Sequence, residues 1–202
     1  MQTSTSSKVR PLAASGTESP VQQRPVPPLV IAPIEGPGSD SSKVLDSLRD
    51  LEHRIASVHA TCAELLLEHH EEDAALRHLE SAVEFAPQEI DYYNQLGVLR
   101  YEAGNHEGAI AAFHVVVEHS PTQVEALSNL GMAYFEAEDF AQAKQWFQLA
   151  VEQTPQDPEL WNNLGASIFE LGDLDSAAQY FKRALQLEPE YLEARRNLEA
   201  CD

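Results

Sequence analysis

The sequence predicts an all-α fold, an α-solenoid of stacked helix pairs. Three observations carry that prediction. Proline returns every 34 residues, at Pro87, Pro121, Pro155 and Pro189. Between the prolines, apolar residues recur three or four apart, the helical period. Two successive segments, PTQVEALSNLGMAYFEAEDFAQAKQWFQLAVEQT (121–154) and PQDPELWNNLGASIFELGDLDSAAQYFKRALQLE (155–188), keep their small and aromatic residues in step. A period of that length marks an array whose units pack on their neighbours, not a globule around one centre.

The 202 residues divide near position 42. Residues 1–42 are rich in Ser, Thr, Pro and Gly and read as a flexible tail. Their one apolar run, RPVPPLVIAPIEGPG (24–38), has two readings. It is a disordered linker, or an extended motif held by another protein or by this chain's own groove. From Lys43 onward Ala, Leu, Glu and Gln dominate. The chain carries a formal net charge of −20. Three acidic and three basic residues fall in 1–42, so 30 acidic and 10 basic residues lie in 43–202. That acidity argues against nucleic acid, whose phosphates need Lys and Arg, and against anionic membrane surfaces. A basic or polar protein partner fits it better, although acidity also serves plain solubility.

No apolar run approaches the roughly 18 residues of a membrane span, so no membrane insertion is expected. Nor does an apolar leader core follow Lys8 and Arg10. Two distant cysteines, Cys62 and Cys201, offer neither metal spacing nor a disulfide framework, and a reducing, cytoplasmic location is expected. No cofactor or catalytic constellation is evident. The EHHEED run (68–73) falls at the first turn between helices and lacks the spacing of a zinc protease motif. Gly-rich phosphate loops are absent, and no nucleophile has an organised base.

The elements follow in order. Residues 41–68 form one long helix capped by Asp40 or Ser41. Val44, Leu48, Leu51, Ile55, Val58, Cys62 and Leu65 are spaced alternately four and three apart, a heptad seam. Residues 43–55 extend this helix ahead of the repeats, so Val44, Leu48, Leu51 and Ile55 need a partner. They form a dimer or docking seam, or fold onto the first repeat as its cap. A degenerate repeat then spans 56–89, and clear repeats span 90–123, 124–157 and 158–191. A final helix, 192–202, closes the array with a charged, solvating surface. Turns fall at Gly104–Asn105, Glu138–Asp139 and Gly172–Asp173, where Gly or Asn supplies a left-handed cap. Each proline opens the next unit, where its missing N–H is harmless. Gly97, Gly131 and Gly165 recur on the first helices, and Ala109, Ala143 and Ala177 on the second, so paired helices can approach closely. Phe113, Phe147 and Phe181 fill the gap to the next unit.

The pattern resembles the tetratricopeptide repeat. The fourth unit matches its motif with Trp161, Leu164, Gly165, Ala177, Phe181, Ala184 and Pro189, departing at Ile168. The third matches with Leu130, Gly131, Tyr134, Ala143, Phe147, Ala150 and Pro155, with Leu127 in place of an aromatic. The second has Tyr93, Leu96, Gly97, Ala109, Phe113 and Pro121, but departs at Arg100 and Val116. The first keeps Cys62, Ala63, Ala75, Leu79, Ala82 and Pro87. The resemblance covers roughly 56–202 and implies a right-handed superhelix with a concave inner face.

Counting places from Ile90, Val124, Pro158 and Leu192, the resemblance puts places 2, 6, 9 and 13 of each first helix on that inner face. Place 2 reads Asp91, Glu125, Glu159 and Glu193; place 6 reads Gln95, Asn129, Asn163 and Asn197. Place 9 reads Val98, Met132 and Ala166; place 13 reads Glu102, Glu136 and Glu170. The expected groove is an amide ladder between two acidic rows. Each amide both donates and accepts, so the ladder can hold the backbone of an extended peptide. Alternatively, it is ordinary consensus that serves packing and solubility. Members that grip acidic chaperone tails use basic residues where Glu125 and Glu159 stand, which argues against such a ligand. The expected function is therefore a non-catalytic scaffold or adaptor that binds a basic or extended polypeptide and aids complex assembly. The alternative is a structural protein that self-assembles into a homo-oligomer through helix 41–55 and the groove.

Overall fold

The computed structural model describes residues 40–201. The motif 24–38 lies outside the described residues. Among those described there are nine helices and no strand. α1 (Asp40–Glu68) pairs with α2 (Glu72–Phe85), and α3 (Ile90–Glu102) with α4 (His106–His119). α5 (Val124–Glu136) pairs with α6 (Phe140–Gln153), α7 (Pro158–Glu170) with α8 (Leu174–Leu187), and α9 (Leu192–Glu199) closes the series. Each helix packs mainly on the one before and the one after, and α3, α5, α7 and α9 also touch in sequence. First helices thus line one side of the array and second helices the other. α1 already includes Asp40 and Ser41, the residues expected to cap it; helix ends shift by a residue or two for such reasons as fraying.

The local chemistry repeats with the same period. His70, Gly104, Glu138 and Gly172 all take positive φ, at 60°, 74°, 60° and 85°. The next residue starts the second helix, and there Asn105, Asp139 and Asp173 accept from the backbone N–H of Gly108, Gln142 and Ser176. These side chains occupy otherwise unpaired donors of the first turn. In the first repeat the same place holds Glu71, whose side chain makes no capping bond.

The prolines act differently from the sequence expectation. Pro87, Pro121, Pro155 and Pro189 directly follow the C-caps Ala86, Ser120, Thr154 and Glu188. They stop the second helix rather than start the next one. The residue before proline is driven out of the helical region, and these caps show it, with φ near −134° and ψ from 69° to 95°. Pro158 alone takes the first helical position.

The glycine and phenylalanine columns also meet otherwise than expected. Phe113, Phe147 and Phe181 are buried, each with its ring over Gly97, Gly131 or Gly165 of its own repeat. A Cβ on Gly131 would lie 2.8 Å from Phe147 Cε1. The glycine makes room for the ring within one repeat, rather than for close backbones. The main core runs without a break from Ala109 to Phe181, and a smaller one centres on Ala63, Ala75, Leu79, Leu96 and Leu99.

Candidate polypeptide-binding groove

The groove is built from the first helices α5 and α7 and closed at one end by α9. It contains a pocket of about 420 Å³. Of the residues expected on the inner face, Met132, Glu136, Glu159, Asn163, Ala166, Glu170 and Asn197 line this pocket. Asp91, Gln95, Val98, Glu102, Glu125 and Asn129 are not among its lining residues; they sit on α3 and α5. Asp91, Val98, Glu102 and Glu125 are exposed, and Gln95 and Asn129 half-buried.

The pocket also contains residues that the inner-face reading missed. Tyr101, Phe135 and Phe169 line it, all half-buried. They occupy one place of the repeat, immediately before the glutamate row, so aligned copies show the column. Phe147 and Phe181 of the core and Tyr191, ahead of α9, bring the lining aromatics to six. The floor of the groove is thus aromatic, and its walls carry Glu136, Glu159, Glu170 and Glu193. No lining residue is Lys or Arg.

Two phenols register this environment. Burial, then the nearby carboxylates of Glu193, Glu159, Glu188 and Asp157, pushes Tyr191 up to about 12. Burial and Glu136 raise Tyr101. A raised tyrosine keeps its proton longer folded than unfolded, so its effect is fully present below the ordinary tyrosine value. It is lost as pH climbs toward the folded value. The same negative potential that disfavours tyrosinate favours a cation.

The amide ladder is only partly open to a ligand. Asn197 Nδ2 donates to Asn162 Oδ1 at 2.9 Å, and Asn162 Nδ2 donates to Glu193 Oε1 at 3.3 Å. Asn162 is 1% exposed, so this network fastens α9 to α7 from inside. Its second bond, to Asn163 Oδ1, is long at 3.5 Å. Asn162 stands one place before the ladder, among apolar neighbours, and the buried bond to the next repeat is its reason for being there.

Other candidates hold their own structural roles. Arg100, a departure from the repeat pattern, has its Nη2 2.9 Å from Glu80 Oε1 and donates from Nη1 to Gly108 O at 3.3 Å. Among the described residues no group of three or more His, Cys, Asp and Glu is placed to hold a metal ion. No described helix is long and apolar enough to cross a membrane.

A stack of helix pairs, each packed on its neighbours, is a repeat solenoid. Three family models, each described as tetratricopeptide repeat, match residues 63–123, 100–168 and 158–191. The chain belongs to the tetratricopeptide repeat family. Among solved structures it is similar to MamA, at 18% identity over 73% of this chain and 80% of that one, with a TM-score of 0.69. It is similar to YrrB, described as a TPR protein with an unusual peptide-binding site, at 17% identity over 80% of this chain and 86% of that one, TM-score 0.69. It is also similar to the first TPR of Spaghetti (RPAP3) bound to the HSP90 peptide SRMEEVD, at 26% identity over 56% of this chain and 90% of that one, TM-score 0.54. No curated protein matches the chain.

Proposed function

We propose that this protein is a non-catalytic adaptor that holds a basic, extended polypeptide in its inner groove and so helps assemble a complex. The observation that carries the reading is the pocket, with an aromatic floor, carboxylate walls and no basic lining residue. An arginine or lysine side chain entering it meets both ring faces and carboxylates, two interactions that a cation strengthens. The amides of Asn163, in the pocket and held only by a long bond from Asn162, and of Asn129, on α5 outside its lining, would take the backbone. Tetratricopeptide structures with bound or described peptide sites support the class of ligand. The acidic peptide SRMEEVD of one of them is opposite in charge to what these walls favour. The same proposal carries a cytoplasmic location, which two widely separated cysteines suit.

The ladder is tested by changing Asn129 and Asn163 to Ala and leaving Asn197, whose amide fastens α9. Binding of an extended arginine-containing peptide, followed by fluorescence anisotropy, should weaken by roughly thirtyfold for the pair, at about 1 kcal/mol per lost hydrogen bond. Unchanged affinity would reduce the ladder to repeat consensus.

A further inference from the structure

The expected heptad seam of α1 remains open to solvent along one edge. Val44, Leu51, Val58 and Leu65, every seventh residue, are 52%, 50%, 62% and 52% exposed, while Leu48, Ile55 and Cys62 are half-buried. α1 packs on α2 through a different strip, Ala56, Ala60 and Ala63. Val58 and Leu65 hold the same repeat places as Ala126 and Ala133 in α5 and Leu160 and Ser167 in α7, all of which are buried. Those helices each have the preceding repeat's second helix against them, α4 beside α5 and α6 beside α7. Among the described residues no helix precedes α1. The seam is therefore the unfilled first face of the solenoid.

We infer that a second copy of α1 fills it, pairing two chains through this seam. Length is the first reason. The seam runs from Val44 to Leu65, roughly 32 Å at 1.5 Å per residue. A repeat's second helix has 14 residues and would leave a third of it bare, whereas α1 has 29. Spacing is the second. Alternating steps of four and three keep a stripe facing a partner helix only when both supercoil, and the alternation continues from the extension into the repeat without a phase break. Charge is the third. In a chain of net charge −20, segment 43–55 holds Lys43, Arg49 and Arg54 against Asp46, Asp50 and Glu52. This stretch is locally neutral, so two otherwise acidic chains can meet there. The seam is separate from the groove, and the two proposals stand or fall independently.

Sedimentation equilibrium of the full chain at high micromolar concentration tests this. The expected mass is twice that of the 22.4 kDa chain. Leu51→Glu with Val58→Glu should halve it with the helical circular dichroism unchanged, since both side chains are exposed. Val44→Glu, ahead of the repeats, should raise the dissociation constant at least tenfold. Leu149→Glu, exposed on α6, should leave the doubled mass in place. A wild-type chain that stays monomeric, as it would if residues 1–39 covered the seam, overturns the inference. So does a doubled mass that survives Leu51→Glu with Val58→Glu.

Discussion

At Gly97, Gly131 and Gly165 one missing methyl decides whether an aromatic ring can lie flat against the first helix. Alanine is the better helix former by about 1 kcal/mol. Here the gain is outweighed, because the new Cβ of Gly131→Ala would sit 2.8 Å from Phe147 Cε1, and that ring is buried and held on all sides. Overpacking of this kind costs about 1–3 kcal/mol, so Gly131→Ala should lower the unfolding free energy measured by urea titration by a net 1 kcal/mol or so. The turn residues give the opposite sign. Glu138 takes φ 60° where Gly104 and Gly172 supply glycine. The left-handed conformation costs a non-glycine residue about 1–2 kcal/mol, and glycine returns about 0.5–1 of that through its freer unfolded chain. Glu138→Gly should therefore stabilise by about 0.5–1 kcal/mol in the same measurement. Both effects were half visible in the sequence. The columns of Gly and Phe stand out, but their contact within one repeat depends on ring placement that spacing does not specify.

At the scale of the helix, start and stop signals set the period. The second helices α4, α6 and α8 start at a residue whose side chain caps them, and all four second helices stop at a proline. Asp173 shows how the start depends on pH. Its side-chain and backbone hydrogen bonds with Ser176 hold the carboxyl below the ordinary aspartate value. A lowered folded value means the stabilisation is present above the ordinary value and is lost as pH falls through the folded one. Asp173→Asn keeps a capping oxygen without the charge. Its melting temperature should fall less steeply than the wild type's as pH drops through that window; parallel slopes would show that the charge of this cap is not used. The turns at Gly104, Glu138 and Gly172 were legible because caps and turns are local, whereas the last helix, expected over 192–202, ends at Glu199. The prolines' role was misread because a period alone does not say which helix a residue belongs to. Only the non-helical φ and ψ of Ala86, Ser120, Thr154 and Glu188 assign the prolines to the end of the second helix.

At the scale of the whole molecule, repetition converts single residues into surfaces. A glutamate or an aromatic at one place becomes a row when the units stack, and members of those rows share one pocket with Glu193 and Asn197 of α9. The repeat phase picked out Glu136, Glu159, Glu170 and Glu193, which line the pocket; Asp91, Glu102 and Glu125 of the same rows do not. The aromatic floor of Tyr101, Phe135 and Phe169 was legible in the same alignment, but its place lies between inner-face and core positions, and periodicity assigns it to neither. The buried Asn162 was not legible, because its partners Asn197 and Glu193 come from the next unit and depend on how α9 docks. In the function proposed for it, this groove selects a cation on an extended chain. Isothermal titration of the full chain with two extended peptides of equal length, one carrying arginine and one carrying glutamate, tests it most directly. The arginine peptide should bind, weaken with added salt, and lose roughly three- to tenfold in affinity when Glu159 and Glu193 are both changed to Gln, as expected for two partly exposed charges. Tighter binding of the glutamate peptide, or an affinity for the arginine peptide indifferent to those two carboxylates, would contradict it.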